Sequence, residues 1–383
     1  MFYLVGIVIT FFLALLLITK KGKNQADYIL SVWLIYIGLH LVAVYLVSTE
    51  GYEQHLYLLG IPMPLLHGPL LYFYTAFLTR QIPSRKFLAL HVLPIALALF
   101  LYSPFYFLSA TEKIRIINEQ GMGYEIQVAI VQFMILTSGV IYVALCLWLL
   151  RKHAKAIKDR FSYAEKINLN WLRYLIYSMG VVWIAVWLRN DPLIFSLVVL
   201  FVIFLGYFGI KQVGIFTQPH PLNQVREESL LAETGNQVAV VTNHQLVEVP
   251  AEKSKYEKSG LSEIVAKEIH QRLTVVVDIE KPYLNPELTL DELAEKVNVL
   301  PHILSQVINT IEQKSFYDYV NLKRVEDFKK AVALPESKKY TLLALAFECG
   351  FNSKTAFNRN FKNVTGLSPS LYLKQFHIKL PTQ

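Results

Sequence analysis

The sequence predicts an all-α protein, in which a seven-helix transmembrane bundle is followed by a cytoplasmic all-α domain with two helix-turn-helix units. The first observation is composition, because 54% of the 383 residues are hydrophobic and only 17% are charged. This bias is unusual for a soluble protein and lies mostly in the first half of the chain. The second observation is a pair of similar segments near the C-terminus, each with helical apolar spacing on both sides of a turn residue.

Seven apolar runs in the first half have the length of membrane spans. A transmembrane helix requires about 20 apolar residues, because the hydrocarbon core of a bilayer is about 30 Å thick. The sixth and seventh runs are separated only by the turn residues 189–192. The predicted spans centre on Phe2–Thr19, Tyr28–Ser48, Tyr57–Leu78, Phe87–Ser109, Gln127–Leu150, Leu172–Leu188 and Leu193–Phe216.

Basic residues between these runs predict the orientation of the chain. The loops after spans one, three and five carry clusters of Lys and Arg within residues 20–23, 80–86 and 151–166, whereas the alternate loops carry few. Loops rich in Lys and Arg remain on the cytoplasmic side. We therefore expect a multi-pass membrane protein with its N-terminus outside and everything after Phe216 in the cytoplasm.

Three regions follow from this pattern. Residues 1–216 form the predicted transmembrane domain, residues 217–260 a linker, and residues 261–383 the C-terminal domain. Residues 218–259 lack a sustained period and contain three prolines and a glycine, with a short strand predicted at Val238–Val241. Proteolysis within residues 218–259 would release the C-terminal domain.

The first helix-turn-helix unit is predicted at about residues 288–312. Asn298 follows the small residue Ala294 by four positions and tolerates the left-handed conformation of a tight turn. Pro301 suits the first turn of the second helix. The predicted buried residues are Leu290, Leu293, Ala294 and Val297 in the first helix, and Leu304, Val307, Ile308 and Ile311 in the second.

The second unit is predicted at about residues 341–365. Gly350 again follows a small residue, Ala346, by four positions, and Phe357, Phe361 and Val364 form the predicted inner face. A predicted helix at residues 316–334 joins the two copies. One copy would be a weak signal, but the duplication indicates two helices meeting at a steep angle, twice.

The outward residues of the second helix in each unit are hydrogen-bonding types, as the recognition of base edges requires. Lys354 and Lys362, together with Lys323 and Arg324, are predicted to neutralise phosphates. The alternative interpretation is a solvated helix surface, which the duplication disfavours. The candidate DNA-binding residues are His302, Ser305 and Gln306 in the first unit, and Lys354, Thr355, Asn358, Arg359 and Lys362 in the second.

Residues of about 280–376 resemble the AraC-type family of bacterial transcription regulators. This resemblance implies two helix-turn-helix units joined by a linker helix, whose recognition helices enter successive major-groove segments about 34 Å apart. Leu300 and Gln306 depart from the family pattern, since a polar cap and a basic residue are usual there. The matching residues are Leu304, Ser305, Asn309, Gly350, Phe351, Ser353, Phe357, Arg359, Phe361, Lys362, Gly366, Ser368, Pro369 and Tyr372.

The whole layout is similar to membrane-embedded AraC-type regulators of the Bacteroidetes kind, which implies a bacterial cytoplasmic (inner) membrane location. Ionisable residues inside predicted spans are functional candidates, and His67, His40 and His91 are the candidates for signal sensing. His67 precedes Gly68 and Pro69, where a broken helix could expose backbone groups to a cavity. The alternative is that each histidine bonds a neighbouring helix.

No catalytic motif is visible: the sequence has no P-loop, no H-E-x-x-H and no G-x-S-x-G. We expect no enzyme activity, no cofactor and no metal site, and two cysteines do not support a disulfide framework. The function indicated is a membrane-tethered, sequence-specific transcription regulator. Its expected partners are double-stranded DNA, the lipid bilayer, an unknown small-molecule or membrane signal, and a second copy in a homodimer.

Two alternatives remain open at this stage. The first is a transmembrane receptor or transporter whose C-terminal helix-turn-helix domain acts as a protein-interaction module. The second is a membrane enzyme, which the absence of a nucleophile or an acid/base pair disfavours.

Overall fold

The computed structural model describes residues 2–51, 53, 61–119, 121–164, 167, 169–211 and 261–376. These residues form 15 α-helices and no strand, with one isolated antiparallel bridge between Phe161 and Thr289. The predicted linker, its strand at Val238–Val241 and the ends of spans three and seven (residues 57–60 and 212–216) lie outside the described residues. The all-α prediction is confirmed for the described part of the chain.

Contacts divide the chain into two compact units. The first comprises Met1–His153 and Leu169–Val225, and the second comprises Ala154–Asn168 and Arg226–Gln383. No pattern in the sequence indicated that a segment between two apolar helices would group with the C-terminal residues.

The first unit consists of the predicted apolar helices and one additional helix, α5, in the loop after span four. Ser109 and Glu112 cap α5 reciprocally, which explains why this short polar segment is helical. The helices are α1 (Phe2–Thr19), α2 (Gln25–Glu50), α3 (Pro64–Leu78), α4 (Arg85–Tyr106), α5 (Ala110–Asn118), α6 (Glu125–Arg160), α7 (Asn170–Trp187) and α8 (Asp191–Lys211). The last residues of α6, from Ala154, group with the second unit.

Four of the described helices, α2, α4, α6 and α8, are long and apolar enough to cross a membrane by length and composition. Helix α1 is apolar but shorter by the same measure. The core of this unit lies mainly between α1, α2, α7 and α8, where Trp33, Leu172 and Val202 are fully buried. Large apolar side chains such as Phe100 and Phe133 are exposed on its outside.

The second unit contains seven further helices arranged around two small cores. They are α9 (Glu263–Glu280), α10 (Leu290–Val297), α11 (Pro301–Val307), α12 (Phe316–Ala333), α13 (Leu342–Glu348), α14 (Lys354–Thr365) and α15 (Pro369–Gln375). The first core lies among α9, α10, α11 and the start of α12. The second core lies among the end of α12, α13, α14 and α15. Helix α12 therefore connects the two helix-turn-helix units by contributing to both cores.

Two predicted core positions differ in the structure. Val364 was expected on the inner face of α14 but is 39% exposed, because Phe357 and Phe361 already fill the space against Phe328. Ile311 is only partly buried, because α11 ends at Val307 and the chain continues as a wider turn through residues 308–312.

Candidate nucleic-acid interface

The first helix-turn-helix unit is built by local signals that the sequence carries. Thr289 and Glu292 form a capping box at the start of α10. Asn298 adopts the left-handed conformation, with φ of 57°, and turns the chain toward α11. Pro301 occupies the first turn of α11, where the missing N–H costs nothing. The predicted turn is confirmed, and Leu300 at the N-cap makes no side-chain cap.

The turn of the second unit depends on Gly350. Its φ is +89°, a conformation that side-chain-bearing residues rarely adopt. A Cβ atom at this position would also collide with the carbonyl oxygen of Tyr283, which precedes α10. Glycine therefore allows the second turn to pack closely against the first half of the domain. Ser353 then caps α14, because its Oγ accepts from the Ala356 N–H at 3.1 Å.

Helix α14 presents a continuous polar face. Phe357 and Phe361 are fully buried on the opposite side. The helix contains no acidic residue, so its positive N-terminus and its basic side chains act together on an anion such as a DNA phosphate. All five predicted DNA-binding residues of this unit are exposed: Lys354, Thr355, Asn358, Arg359 and Lys362.

Arg359 is exposed but already engaged within the domain. Its Nη2 donates to the Tyr317 hydroxyl at 2.5 Å, and its guanidinium lies 5.8 Å from the centre of the Tyr317 ring. Asn360 Nδ2 donates to the same hydroxyl at 2.7 Å. Tyr317 is 3% exposed and lies on the first turn of α12. The linker helix thus restrains the rotamer of a predicted base-contacting side chain.

The predicted residues of the first unit are less uniformly presented. His302 is exposed on α11, whereas Ser305 and Gln306 are half-buried. Asn309 Nδ2 donates to the Ser305 carbonyl at 2.9 Å and to its hydroxyl at 3.3 Å. The two groups of candidate residues therefore lie on the second helix of each unit, with the larger exposed polar surface on α14.

Arg324 does not have the role that the sequence predicted. It is 2% exposed, so it does not contact phosphates. Its Nε donates to the Tyr283 carbonyl at 2.8 Å, and its Nη2 donates to the Asn285 carbonyl at 2.7 Å. The neighbouring Lys323 lies 4.0 Å from an Asp278 carboxylate oxygen. The dipeptide Lys323-Arg324 contains no sequence signal that would distinguish a buried arginine from one that contacts phosphates.

Comparison with known families supports the same assignment. A family model described as a helix-turn-helix domain matches residues 293–375. This match supports an AraC-type helix-turn-helix domain at residues 293–375. No curated protein and no solved structure matches the chain. The AraC-type match covers α12 as well as most of both helix-turn-helix units, which agrees with the arrangement of two units around one linker helix.

The AraC-type domain is a DNA-binding regulatory domain and not an enzymatic one. Its exposed α14 side chains supply what base recognition requires, since amide and guanidinium groups pair with base edges in the major groove. The lysines supply charge without sequence information. The described residues also contain no group of three His, Cys, Asp or Glu side chains that could hold a metal ion.

Two of the three sensing candidates meet in the first unit. His40 Nδ1 and His67 Nε2 are 2.9 Å apart, and the rings stack at 5.2 Å. The Trp33 indole N–H donates to His67 Nδ1 at 3.3 Å. His91 is separate, because its Nδ1 lies 2.8 Å from the Tyr142 hydroxyl and its ring stacks on Tyr72.

His40 and His67 line a cavity of about 380 Å³. Its walls are mostly apolar, and the other polar groups that line it are Gln132, Arg189 and Asp191. The two histidines were candidates from the sequence, but the apolar and aromatic residues that line the rest of the cavity were not. No sequence spacing could have identified these lining residues, because they come from helices that are distant in sequence. The apolar and aromatic lining residues include Met179, Val182, Trp183, Phe195, Val198 and Phe201.

Proposed function

We propose that this protein is a membrane-tethered, sequence-specific transcription regulator. The observation that carries the proposal is the AraC-type domain, whose α14 exposes Asn358, Arg359 and two lysines on one face. The test is selection of genomic DNA fragments by the full chain in lipid nanodiscs. Recovery of a common sequence supports the proposal, whereas recovery of unrelated fragments in a purely salt-sensitive manner contradicts it.

A charge-matched control is available on α12. Lys330 is exposed in the last turn of that helix and is not among the predicted DNA contacts. Lys330→Ala removes one positive charge, as Arg359→Ala does. The proposal requires that only Arg359→Ala abolishes the common sequence, because loss of a base contact changes specificity whereas loss of a remote charge does not.

Membrane tethering is the second part of the proposal. It is supported by four long apolar helices, by the three other apolar helices α1, α3 and α7, and by basic loops after alternate spans. The exposed apolar side chains on α4 and α6 suit contact with lipid. We infer seven spans in a bacterial cytoplasmic membrane, with the N-terminus outside and the DNA-binding domain in the cytoplasm.

A topology measurement tests this part directly. Single cysteines placed in the turn at Asn190 and in the turn at Gly22 are expected to lie on opposite sides of the membrane. An impermeant maleimide distinguishes them, because it reaches only the outer side of intact cells. Labelling of Asn190→Cys from outside and of Gly22→Cys only after lysis supports the inferred orientation. The reverse pattern, or equal labelling from one side, contradicts it.

The cavity of His40 and His67 is the inferred signal site. Since an indole N–H only donates, His67 Nδ1 accepts, and a neutral His67 carries its proton on Nε2. It then donates to His40 Nδ1, which leaves the Nε2–H of a neutral His40 as a donor at the cavity. A mostly apolar cavity whose polar lining includes His40, Gln132 and one residue of each charge, Arg189 and Asp191, suits an uncharged, mostly apolar small molecule with a hydrogen-bond acceptor.

Thermal unfolding of the full chain with medium-chain alcohols and ketones tests this assignment. A ligand that binds only the folded state stabilises it by an amount that increases with the logarithm of the ligand concentration above Kd, so the unfolding temperature rises as ligand is added. We expect the shift to be lost in His40→Leu and retained in His91→Phe, whose histidine lies elsewhere in the unit. Retention of the shift in His40→Leu would rule out this site.

The competing function is a receptor or transporter whose C-terminal domain binds a protein. It is favoured if the selected DNA shows no common sequence while the domain captures a defined protein. A homodimer would increase affinity for paired DNA sites, because the second contact becomes intramolecular. Half-site spacing in the selected fragments would report that pairing.

A further inference from the structure

A short segment at the C-terminal end of α6 is bound by the C-terminal residues of the second unit. Ile157, Phe161 and Ser162 are 3%, 5% and 1% exposed, respectively. These residues belong to the same compact unit as the AraC-type domain. They are called the docking segment here, defined as residues 157–163.

The docking segment is held by backbone pairing on one side. The Ser162 N–H donates to the Leu288 carbonyl at 3.1 Å, and Phe161 forms an antiparallel bridge with Thr289. Thr289 is the N-cap of α10, the first helix of the first helix-turn-helix unit. The docking segment therefore pairs with the stretch of chain that leads directly into the first helix-turn-helix unit.

Arg324 and Asn321 hold the other side of the docking segment. Arg324 Nη1 donates to the Ser162 carbonyl, and Nη2 donates to its hydroxyl, both at 3.1 Å. Asn321 Nδ2 donates to the same carbonyl at 3.0 Å. A buried guanidinium requires several hydrogen-bond acceptors. Ser162 supplies two acceptors to Arg324, its carbonyl and its hydroxyl, beside the carbonyls of Tyr283 and Asn285. The contact is therefore specific and not a chance surface approach.

The same contacts lead to the DNA-reading helix. Asn321 Nδ2 also donates to the Tyr317 carbonyl at 2.8 Å, and Lys158 Nζ lies 5.7 Å from the centre of the Tyr317 ring. The hydroxyl of that ring accepts from Arg359. Recognition of guanine requires two N–H groups of an arginine to point at the base, and the bond to Tyr317 uses one of the five N–H groups of Arg359 and fixes the orientation of its guanidinium. The docked arrangement therefore opposes full use of Arg359 on DNA.

We propose that the surface formed by Leu288, Thr289, Asn321 and Arg324 is a docking site for residues 157–163 of this chain, and that docking lowers DNA affinity. Helix α6 ends at Arg160, inside the docking segment, so displacement of α6 would withdraw the segment. Withdrawal would release Tyr317 and with it Arg359. The effect on affinity rests on the proposed DNA-binding function, whereas the docking itself does not.

A disulfide between positions 161 and 289 tests docking and its effect together. Directly paired antiparallel residues have Cα atoms about 4.5–5.5 Å apart, within the range that a disulfide spans. Both native cysteines are buried. We expect Phe161→Cys/Thr289→Cys in the full chain in nanodiscs to form an intramolecular disulfide under mild oxidation. Neither single variant should do so.

DNA affinity of the oxidised double variant is expected to fall by about tenfold relative to the same protein after reduction, which corresponds to one arginine–base contact. Absence of the disulfide overturns the docking site. A disulfide that forms but leaves DNA affinity unchanged or raises it overturns the claim that docking lowers DNA affinity. If neither form binds DNA, the proposed function fails, while the disulfide yield still decides whether the segment docks.

A second variant avoids the disulfide. Ser162→Trp places a large ring at a position that is 1% exposed, and it should expel the segment and raise the affinity of the full chain by about tenfold. Ser370→Trp on exposed α15 is the matched control and should leave affinity unchanged. Equal affinities for wild type and Ser162→Trp would count against the restraint.

Discussion

The guanidinium of Arg359, on the second recognition helix, donates a hydrogen bond of 2.5 Å to the hydroxyl of Tyr317, on the linker helix. The two residues lie in different elements and are 42 positions apart. This contact relates DNA recognition to the element that joins the two helix-turn-helix units.

Tyr317→Phe should free the Arg359 guanidinium while keeping the buried ring. We expect the affinity for a selected DNA sequence to rise by about fivefold, which corresponds to one hydrogen bond of about 1 kcal/mol. Asn360 keeps its bond to the Ala356 carbonyl at 2.9 Å, so folding is retained. Fluorescence anisotropy with the full chain measures the change. Tyr340→Phe, at a half-exposed tyrosine, is the control, and an unchanged affinity in Tyr317→Phe would show that the contact does not limit binding.

Asn358→Ala and Lys362→Ala should weaken DNA binding in different ways. An asparagine that pairs with adenine contributes about 1–3 kcal/mol of discrimination, so Asn358→Ala should relax sequence preference. Lys362→Ala should weaken binding uniformly and reduce the salt slope by about one. Binding isotherms on selected and scrambled DNA at several salt concentrations separate the two. Identical effects of both variants would mean that α14 contacts only phosphates.

Gly350→Ala should destabilise the AraC-type domain by at least about 2 kcal/mol, because a positive φ and a collision with the Tyr283 carbonyl both oppose a side chain. Gly366→Ala is the control. Its φ is also positive, at +77°, but nothing lies within 4 Å of the added Cβ, so its cost should be about 1 kcal/mol. Hydrogen exchange of residues 261–376 in the full chain measures both. Equal costs would mean that the close approach at Gly350 is relieved by small shifts.

Cys349 should react slowly with alkylating reagents while the domain is folded. Burial, with the nearby Asp327 carboxylate, raises the pKa of its thiol to about 12. Only the thiolate reacts, so the folded protein has little reactive form at pH 8. In a Cys146→Ala background, the alkylation rate should still increase between pH 9 and pH 10, whereas an ordinary thiol of pKa about 8.5 levels off. A plateau near pH 9 in the folded protein would contradict the buried environment of Cys349.

Local signals in the sequence predicted the helices and turns well. Asn298 and Gly350 both adopt left-handed conformations at the positions where the small residue and the turn residue were spaced by four. Pro301 begins α11, and the apolar spacing of Phe357 and Phe361 defined the buried face of α14. These features depend on residues that are close in sequence, so residue type and spacing are sufficient to predict them.

Long-range features could not be predicted in this way. Arg324 was assigned to phosphates because a basic residue on a predicted helix is usually exposed, but its acceptors include a serine 162 positions away. Val364 fitted the helical period, yet the space was already filled by two phenylalanines. The seven-span count remains a prediction, since four described helices satisfy the length and composition of a span. The contacts of Arg324 depend on the packing of distant segments, which local patterns do not encode.

Nuclease footprinting of the full chain in nanodiscs, on a DNA fragment selected by the protein itself, tests the central claim most directly. Wild type and Lys330→Ala should protect the same short sequence, with two protected segments about one helical turn apart. Arg359→Ala should lose protection over the segment that α14 contacts. Protection that has no defined boundary, or that is the same for wild type and Arg359→Ala, would contradict sequence-specific DNA recognition by this domain.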